Sequence, residues 1–281
     1  MKTKNLDSLS CRQIEEKILN LLKQNNITIQ GSGSKVMFFV HGFGCDQKMW
    51  RFITPHFENT HKIVLIDLVG SGKSDENAYN YDKYNSLEGY ADDIINICDA
   101  LNLQDVCIIA HSVSAMIATL AAVKRPALFK KLIMIGPSPR YINDGAYIGG
   151  FSQEYIDELL KTLDYNYIGW SSAMAPVIMD NHDRPALAAE LEASFCQNNP
   201  EIATHFAKVT FLGDNRNDLK KLSTDTLIIQ SKIDAIASIE VGQFVNNNIS
   251  NSKLVVLETI GHCPHLSAPI KTSEAIKNFL R

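Results

Sequence analysis

A serine between an apolar strand pattern and a helix of small residues constrains this fold more than any other feature. Residues 106–110 are apolar, His111 and Ser112 follow, and residues 114–123 have the small and apolar side chains of a buried helix. A strand that ends in such a turn lifts the serine hydroxyl above the edge of a sheet. The following helix directs free backbone N–H groups toward the same point. The pattern predicts a nucleophile elbow at Ser112.

Short apolar runs alternate with helical patterns on both sides of this elbow. Apolar residues recur near helical spacing over residues 87–101. The strand candidates are residues 36–40, 62–67, 106–110, 131–135, 226–230 and 253–257. Apolar runs of this length between helices predict a mostly parallel sheet covered on both faces. The expected class is therefore α/β, and 281 residues are enough for one large core.

About 90 residues between the fourth and fifth of these strands contain no clear strand pattern. Such a segment is too long for a simple connection. It predicts helices at residues 154–162, 168–179, 185–196 and 200–210. We expect a helical lid over residues 137–216, with residues 26–136 and 217–281 forming the core. The aromatic side chains of this lid either line an apolar pocket or only pack the helices onto the sheet.

The first 25 residues are distinct from the rest of the pattern. Residues 10–13 have the spacing of a capping box. One apolar stripe at helical spacing follows, formed by Ile14, Ile18, Leu21 and Leu22. We expect a helical N-terminal extension over residues 1–25. The preferred interpretation is that it packs on its own domain, and the alternative is that it docks on a partner protein.

A serine is a weak nucleophile unless a base and an orienting carboxylate activate it. Asp234 comes just after the apolar run at residues 226–230, and His262 comes just after the last strand candidate. The chain order serine, aspartate, histidine is the order found in α/β-hydrolases. We therefore expect Ser112, Asp234 and His262 to form a catalytic triad.

Other residues compete for these roles. His265 lies three residues after His262, but the glycine before His262 favours a sharp loop that enters the site. His111 flanks the nucleophile, and a residue next to an elbow serine points away from the site, so a structural role is expected. Three carboxylates compete with Asp234 for the orienting role: Asp67, Asp75 and Asp218. None of them follows a strand candidate that comes after the predicted lid.

Glycines follow the first strand candidate, where the chain reads Val40-His41-Gly42-Phe43-Gly44. They allow the backbone to approach a ligand closely. The backbone N–H of Phe43 and that of Val113, the residue after the elbow serine, are therefore expected to form a two-donor oxyanion hole.

Charge and composition exclude several other classes of protein. A net charge of −4 gives no clustered basic surplus for nucleic acid. No segment approaches the roughly 20 apolar residues of a membrane span. The N-terminus lacks the apolar core of a signal peptide, so we expect a cytoplasmic protein whose six cysteines are reduced, with pairing left open. Gly72-Lys73-Ser74 resembles the end of a phosphate-binding loop, but Asp67 replaces its first glycine. No cofactor is expected, and no metal, because no cluster has metal-ligand spacing.

The motifs as a set resemble the α/β-hydrolase superfamily, and within it the bacterial stress regulator RsbQ and the plant strigolactone and karrikin receptors. The resemblance covers residue 26 to the end of the chain. The matching stretches are residues 41–47 with Trp50, 67–75, 136–141, 166–170 and 261–267. The resemblance implies that Ser112 is the nucleophile, Asp234 the orienting acid and His262 the base. It also implies a four-helix lid over a hydrophobic cavity.

Three features depart from that family pattern. Ala110 and Ser114 replace the two glycines usual in the elbow. Lys232 and Ile233 precede Asp234, where small or acidic residues are usual, and the N-terminal extension is additional. Alanine and serine are nearly as small as glycine, so we expect the elbow to survive with tighter packing.

Two functions stay open at this point, because fold and triad do not fix a biological role. The first is a carboxylesterase that cleaves a small apolar ester or lactone-like substrate. The second is an RsbQ-like regulator of stress signalling that binds a small hydrophobic ligand with little turnover. It would act through a protein partner of the sensor-phosphatase type. In both cases we expect a small apolar pocket lined by Phe43, Phe151, Trp170 and Phe195.

Overall fold

A computed structural model describes residues 11–281, without the side chains of residues 11–15 and 17. The predicted capping box at residues 10–13 and the side chain of Ile14 lie outside the described residues. The first described element is helix α1, Cys11–Gln24, which precedes the first strand. In the part of the chain that the structure describes, no helix is long and apolar enough to cross a membrane.

Within residues 11–281, seven strands form one sheet in the order β1-β3-β2-β4-β5-β6-β7. The strands are β1 Thr28–Gln30, β2 Lys35–Val40, β3 His61–Ile66, β4 Val106–His111, β5 Phe129–Ile135, β6 Asp225–Ile233 and β7 Ser252–Ile260. Strand β1 pairs antiparallel with β3, and every other pair is parallel. The predicted α/β class is confirmed, and the six predicted strands correspond to β2–β7.

Apolar side chains project from both faces of the sheet and pack against helices. Phe38 and Val40 belong to the cluster under α2 and α3, whereas Met37 and Phe39 belong to the cluster on the opposite face. All four side chains are fully buried, which explains why β2 is a continuous apolar run rather than an alternating one. The core helices are α2 Leu87–Ala100, α3 Val113–Lys124, α8 Arg216–Leu219, α9 Ile239–Asn248, α10 Pro264–Ser267 and α11 Pro269–Leu280.

Four further helices lie between β5 and β6, where the sequence predicts helices and no strand. They are α4 Gln153–Tyr165, α5 Tyr167–Met179, α6 Pro185–Cys196 and α7 Pro200–Leu212. We call these four the insertion helices. Most of their buried apolar side chains join the cluster that contains Met37 and Phe39, whereas Phe206 of α7 joins the cluster on the opposite face. The insertion helices therefore share an apolar cluster with side chains of β2 and β5 that project from the same face of the sheet.

Candidate active site

Ser112 occupies the sharp turn between β4 and α3. Its backbone has φ 57° and ψ −128°, in a region that residues other than glycine rarely adopt. The Ser112 N–H donates to the carbonyl of Ile135 on the neighbouring strand at 2.8 Å. Strain of this kind persists only where the surrounding structure enforces it, and it is common at active sites. The turn holds the Ser112 side chain at the carboxyl edge of the sheet.

Small residues on each side of the elbow allow this turn to pack. Ala110 and Ser114 are both fully buried. The Ser114 hydroxyl donates to the backbone carbonyl of His41, in the loop that follows β2. The His41 ring in turn accepts from the N–H of Leu68 at 3.0 Å. The serine that replaces a glycine therefore ties the elbow helix to the β2 loop, a role that its small size alone does not indicate.

The β2 loop passes directly beside the elbow. A Cβ atom on Gly42 would lie 2.5 Å from His111 Nδ1, so only glycine fits at this close approach. Val113 begins α3, and its N–H therefore has no partner within the helix. Phe43 follows Gly42, and among the described residues neither its N–H nor that of Val113 donates to another group. Both N–H groups are available for a ligand.

Ser112, His262 and Asp234 form a continuous chain of hydrogen bonds. Ser112 Oγ lies 2.8 Å from His262 Nε2. His262 Nδ1 lies 2.8 Å from Asp234 Oδ2. The side chains of His262 and Asp234 are 4% and 1% exposed, respectively. A hydroxyl, an imidazole and a carboxylate in this order can move a proton away from the serine oxygen.

Asp234 is held by the loop after β6. Its Oδ1 accepts from the N–H groups of Ile236 at 2.8 Å and Ala237 at 3.0 Å. Its Oδ2, which faces His262, also accepts from Gln230 Nε2 at 3.2 Å. These donors fix the orientation of the carboxylate, so its second oxygen is directed at the imidazole.

His262 enters the site from the loop after β7. Gly261 has φ 92°, and a Cβ atom there would lie 2.0 Å from the carbonyl oxygen of Met179. The next residue donates its N–H to the carbonyl of Ile178 at 2.8 Å. Glycine is therefore required at position 261 because the loop passes against the end of α5. This contact links an insertion helix directly to the backbone of His262.

The competing residues lie elsewhere. His265 is fully buried, its ring lies 4.8 Å from that of Trp50, and among the described residues neither of its ring nitrogens makes a hydrogen bond, so it does not contact the Ser112 hydroxyl in this way. Asp67 accepts from the N–H groups of Gln47 and Lys73, each at 2.8 Å, and so holds two loops in place. The other two carboxylates form ion pairs at the surface, Asp75 with Lys23 and Asp218 with Lys221.

The segment from Gly70 to Ser74 is occupied by its own contacts. Ser74 Oγ accepts from the N–H groups of Gly70 at 3.0 Å and Ser71 at 3.1 Å. The N–H of Gly72 donates to Asn198 Oδ1 at 3.2 Å. A loop that uses its N–H groups in this way does not present them to a phosphate.

An apolar cavity lies between Ser112 and the insertion helices. The four residues predicted for the pocket, Phe43, Phe151, Trp170 and Phe195, all line it. The other lining residues are Cys45, His111, Ser112, Tyr141, Leu159, Met174, Ile178, Leu191, Thr210, Phe211, Ile236, His262 and Cys263. The cavity therefore suits a small apolar ligand that reaches the serine hydroxyl.

Tyr141 is a residue of the site that sequence reasoning grouped only with the other aromatic residues. It is buried in the wall of the cavity beside Ser112. Burial raises the pKa of its phenol to about 12, while the nearby Ser112 hydroxyl acts in the opposite direction. Tyr141 therefore stays neutral and can offer a hydroxyl to a ligand.

Comparisons with known proteins agree with this architecture. Residues 35–162 match the family model described as the alpha/beta hydrolase fold. The chain is 34% identical to strigolactone esterase D14 of Arabidopsis thaliana, over 93% of this chain and 98% of that protein. It is 35% identical to karrikin insensitive 2 receptor CA of Petunia hybrida, over 87% of this chain and 91% of the receptor.

A solved structure gives a similar result. The structure of a hydrolase from Oleispira antarctica superposes with a TM-score of 0.91. The two sequences are 42% identical, over 94% of this chain and 97% of that one. With a shared fold and identities above one third over nearly the full length, the chain belongs to the α/β-hydrolase family, in the group that contains the strigolactone esterases and karrikin receptors.

Proposed function

We propose that this protein is a serine hydrolase that cleaves a small apolar ester or lactone-like compound. The observation that carries the proposal is the chain of two hydrogen bonds, each 2.8 Å long, from Ser112 through His262 to Asp234. In this arrangement His262 Nδ1 carries the proton that Asp234 accepts. Its Nε2 is then free to accept the proton of Ser112.

The reaction follows from these positions. Ser112 Oγ attacks the acyl carbon while its proton passes to His262 Nε2, and Asp234 stabilises the imidazolium that forms. The N–H groups of Phe43 and Val113 donate to the oxyanion. His262 then protonates the leaving oxygen. Water, activated by the same imidazole, releases the acid and restores Ser112.

The cavity supports a small hydrophobic substrate. Its wall consists mainly of aromatic and aliphatic side chains. Long acyl chains need an extended groove, so short esters are expected to react faster. The name strigolactone esterase, given to a relative that is 34% identical, also favours a lactone-like substrate class.

The test compares Ser112→Ala with wild type on a short-chain p-nitrophenyl ester and with a fluorophosphonate probe. The substitution is expected to abolish labelling and to lower kcat by several orders of magnitude, on the order of 10⁶, as is typical when a serine protease loses its nucleophile. Ser273→Ala is the matched control, since this buried hydroxyl in α11 makes no hydrogen bond among the described residues. Turnover of Ser112→Ala within tenfold of wild type would contradict the proposal.

A signalling role is the second candidate, with little turnover and a protein partner. It is favoured by the relative named a karrikin receptor and by the contact between Ile178 of α5 and the backbone of His262. That contact gives a ligand at the triad a path to the surface of the insertion helices. Steady-state turnover of many substrate molecules per enzyme supports the hydrolase, whereas a single burst followed by a stable acyl-enzyme supports the sensor.

A further inference from the structure

A second cluster of reactive side chains lies behind the triad. One ligand atom from each of His111, Cys263 and His265 falls within 4.8 Å of the other two, and all three residues are buried. Cys263 Sγ is 4.0 Å from His111 Nε2. The sequence gives no sign of this cluster, because His111 precedes Ser112 whereas Cys263 and His265 follow His262. The elbow and the β7 loop meet only in the folded sheet.

The nitrogen atoms of this cluster have few partners. Among the described residues, neither ring nitrogen of His265 makes a hydrogen bond, and His111 Nδ1 makes none. Unpaired buried polar atoms cost free energy and call for an explanation. Burial lowers the pKa of His265 to about 3 and holds that of His111 well below its ordinary value. Both imidazoles are therefore neutral, which is the form that binds metal ions.

The cluster can be reached from the cavity. His111 and Cys263 both line the cavity that contains Ser112. His265 lies one layer deeper, with its ring 4.5 Å from that of His111. An ion that enters the cavity therefore meets the Cys263 thiol and the His111 imidazole first, with His265 behind them.

We propose that His111, Cys263 and His265 form a binding site for a soft monovalent cation of the Cu⁺ class. Thiolate ligands select soft ions of this kind, and imidazole is a common ligand of copper. One thiolate and two neutral imidazoles balance a single positive charge, which matters in a site that excludes water. On binding, the Cys263 Sγ–H bond breaks, the sulfur–copper bond forms and the proton leaves to solvent. Copper stays Cu⁺ throughout, so no electron is transferred.

Occupation of this site would disturb the proposed base. His111 Nε2 now donates to the backbone carbonyl of His262 at 3.0 Å. A metal on Nε2 requires the ring proton to move to Nδ1, and the bond to His262 is then lost. Since Cys263 is the next residue along the chain, its sulfur would pull on the same loop. Cu⁺ is therefore expected to inhibit the hydrolase without contacting Ser112.

The experiment measures Cu⁺ binding by anaerobic competition with bicinchoninate, whose copper complex is coloured. Cys196 is exposed and would bind Cu⁺ alone, so the reference protein carries Cys196→Ser. It also carries Cys11→Ser, because the side chain of Cys11 lies outside the described residues. One tightly bound Cu⁺ per chain is expected. Loss of a residue that only supports a metal ligand costs about 10–100-fold in affinity. Cys263→Ser and His265→Gln remove ligands, so each is expected to cost more than about 100-fold.

Control substitutions at other cysteines show which thiol binds Cu⁺. Cys98→Ser replaces a buried thiol of α2 and is expected to leave Cu⁺ affinity unchanged. The proposal is overturned if Cys263→Ser binds as tightly as the reference protein. It is also overturned if Cys45→Ser, a change at the other thiol of the cavity, abolishes binding while Cys263→Ser does not. Circular dichroism of each variant checks that it is folded. If His265→Gln does not fold, the Cu⁺ affinity of Cys263→Ser alone decides the outcome.

Cu⁺ binding and ester hydrolysis are measured independently, so that the two proposals can fail separately. The same titration on Ser112→Ala is expected to give unchanged Cu⁺ affinity, because Ser112 is not a ligand. Absence of Cu⁺ binding with intact ester hydrolysis would refute the metal site alone. Cu⁺ binding in a protein that hydrolyses no ester would refute the proposed function alone.

Discussion

Asp234 is the residue whose role is easiest to separate from folding. Asp234→Asn keeps the shape of the side chain but presents an amide where His262 needs an acceptor. The imidazole is then held in the wrong tautomer, and kcat is expected to fall by roughly 10⁴. Steady-state hydrolysis of a short-chain ester measures this loss.

Asp218→Asn is the matched control for that change. Asp218 pairs with Lys221 at the surface, away from the triad. Its replacement is expected to leave kcat within a factor of two, as surface substitutions are usually mild. If Asp218→Asn or Asp67→Asn is the damaging change and Asp234→Asn is not, the assignment of the orienting acid is wrong.

At the residue scale, chain order and strand ends were enough to choose three side chains that the structure brings together. Ser112, Asp234 and His262 each follow the end of a parallel strand, and such ends meet at one edge of the sheet. Contacts made across the sequence were not predictable in this way. The hydrogen bond from Ser114 to His41 and the contact of His111 with the β7 loop depend on how loops far apart in the sequence pack.

At the element scale, the long apolar strands were predictable because burial on both faces leaves a continuous apolar run. Strand β1 was not predictable from the sequence. Its three residues are too few for an apolar pattern, and it pairs only with β3. Helix α9 and helix α11 were also missed. Their buried positions are few and are separated by polar residues, so the apolar stripe is weak.

Helix α1 is joined to the core at its C-terminal end. The Asn25 carbonyl accepts from the N–H of Asp67 at 2.8 Å, and the Gln24 carbonyl accepts from the N–H of Asp75 at 3.1 Å. Gln24 Nε2 also donates to the hydroxyl of Tyr84 at 3.3 Å. Asn25 is fully buried. These contacts favour the interpretation that α1 packs on its own domain.

Deletion of residues 1–25 is therefore expected to destabilise the protein. It removes at least three hydrogen bonds to the core, each worth about 0.5–1.5 kcal/mol, and leaves the buried N–H of Asp67 unpaired. The free energy of unfolding is expected to fall by about 2–4 kcal/mol. Urea denaturation followed by circular dichroism measures the change.

A point substitution in the same helix provides the comparison. Lys23→Ala removes only the ion pair with Asp75, in which the lysine is 78% exposed, and is expected to cost less than about 1 kcal/mol. A truncated protein with unchanged stability that no longer binds a partner would instead identify α1 as a docking helix.

At the scale of the whole molecule, the buried histidines make stability depend on pH. Burial lowers the pKa of His265 from 6.5 to about 3 in the folded chain. Between these two values the unfolded chain takes up a proton that the folded chain does not. The free energy of unfolding therefore falls as the pH falls below about 6.5, by about 1.4 kcal/mol per pH unit for this residue.

His265→Gln tests this dependence. Glutamine does not titrate, so the slope of unfolding free energy against pH is expected to be shallower by about 1.4 kcal/mol per pH unit between about pH 6 and pH 4. Denaturant titrations of both proteins across this range give the two slopes. Equal slopes would show that His265 does not resist protonation in the folded state.

Phe43 connects the insertion helices to the proposed oxyanion hole. Its ring centroid lies 6.0 Å from Trp170 of α5, 6.1 Å from Phe195 of α6, and 5.6 and 6.0 Å from Phe206 and Phe211 of α7. The backbone N–H of the same residue faces the reacting carbonyl in the proposed mechanism. If the proposed mechanism holds, a shift of these helices is expected to change ligand affinity. Linkage makes that coupling reciprocal: a macromolecule that binds the outer surface of α5–α7 and alters ligand affinity must have its own affinity altered by the ligand by the same factor.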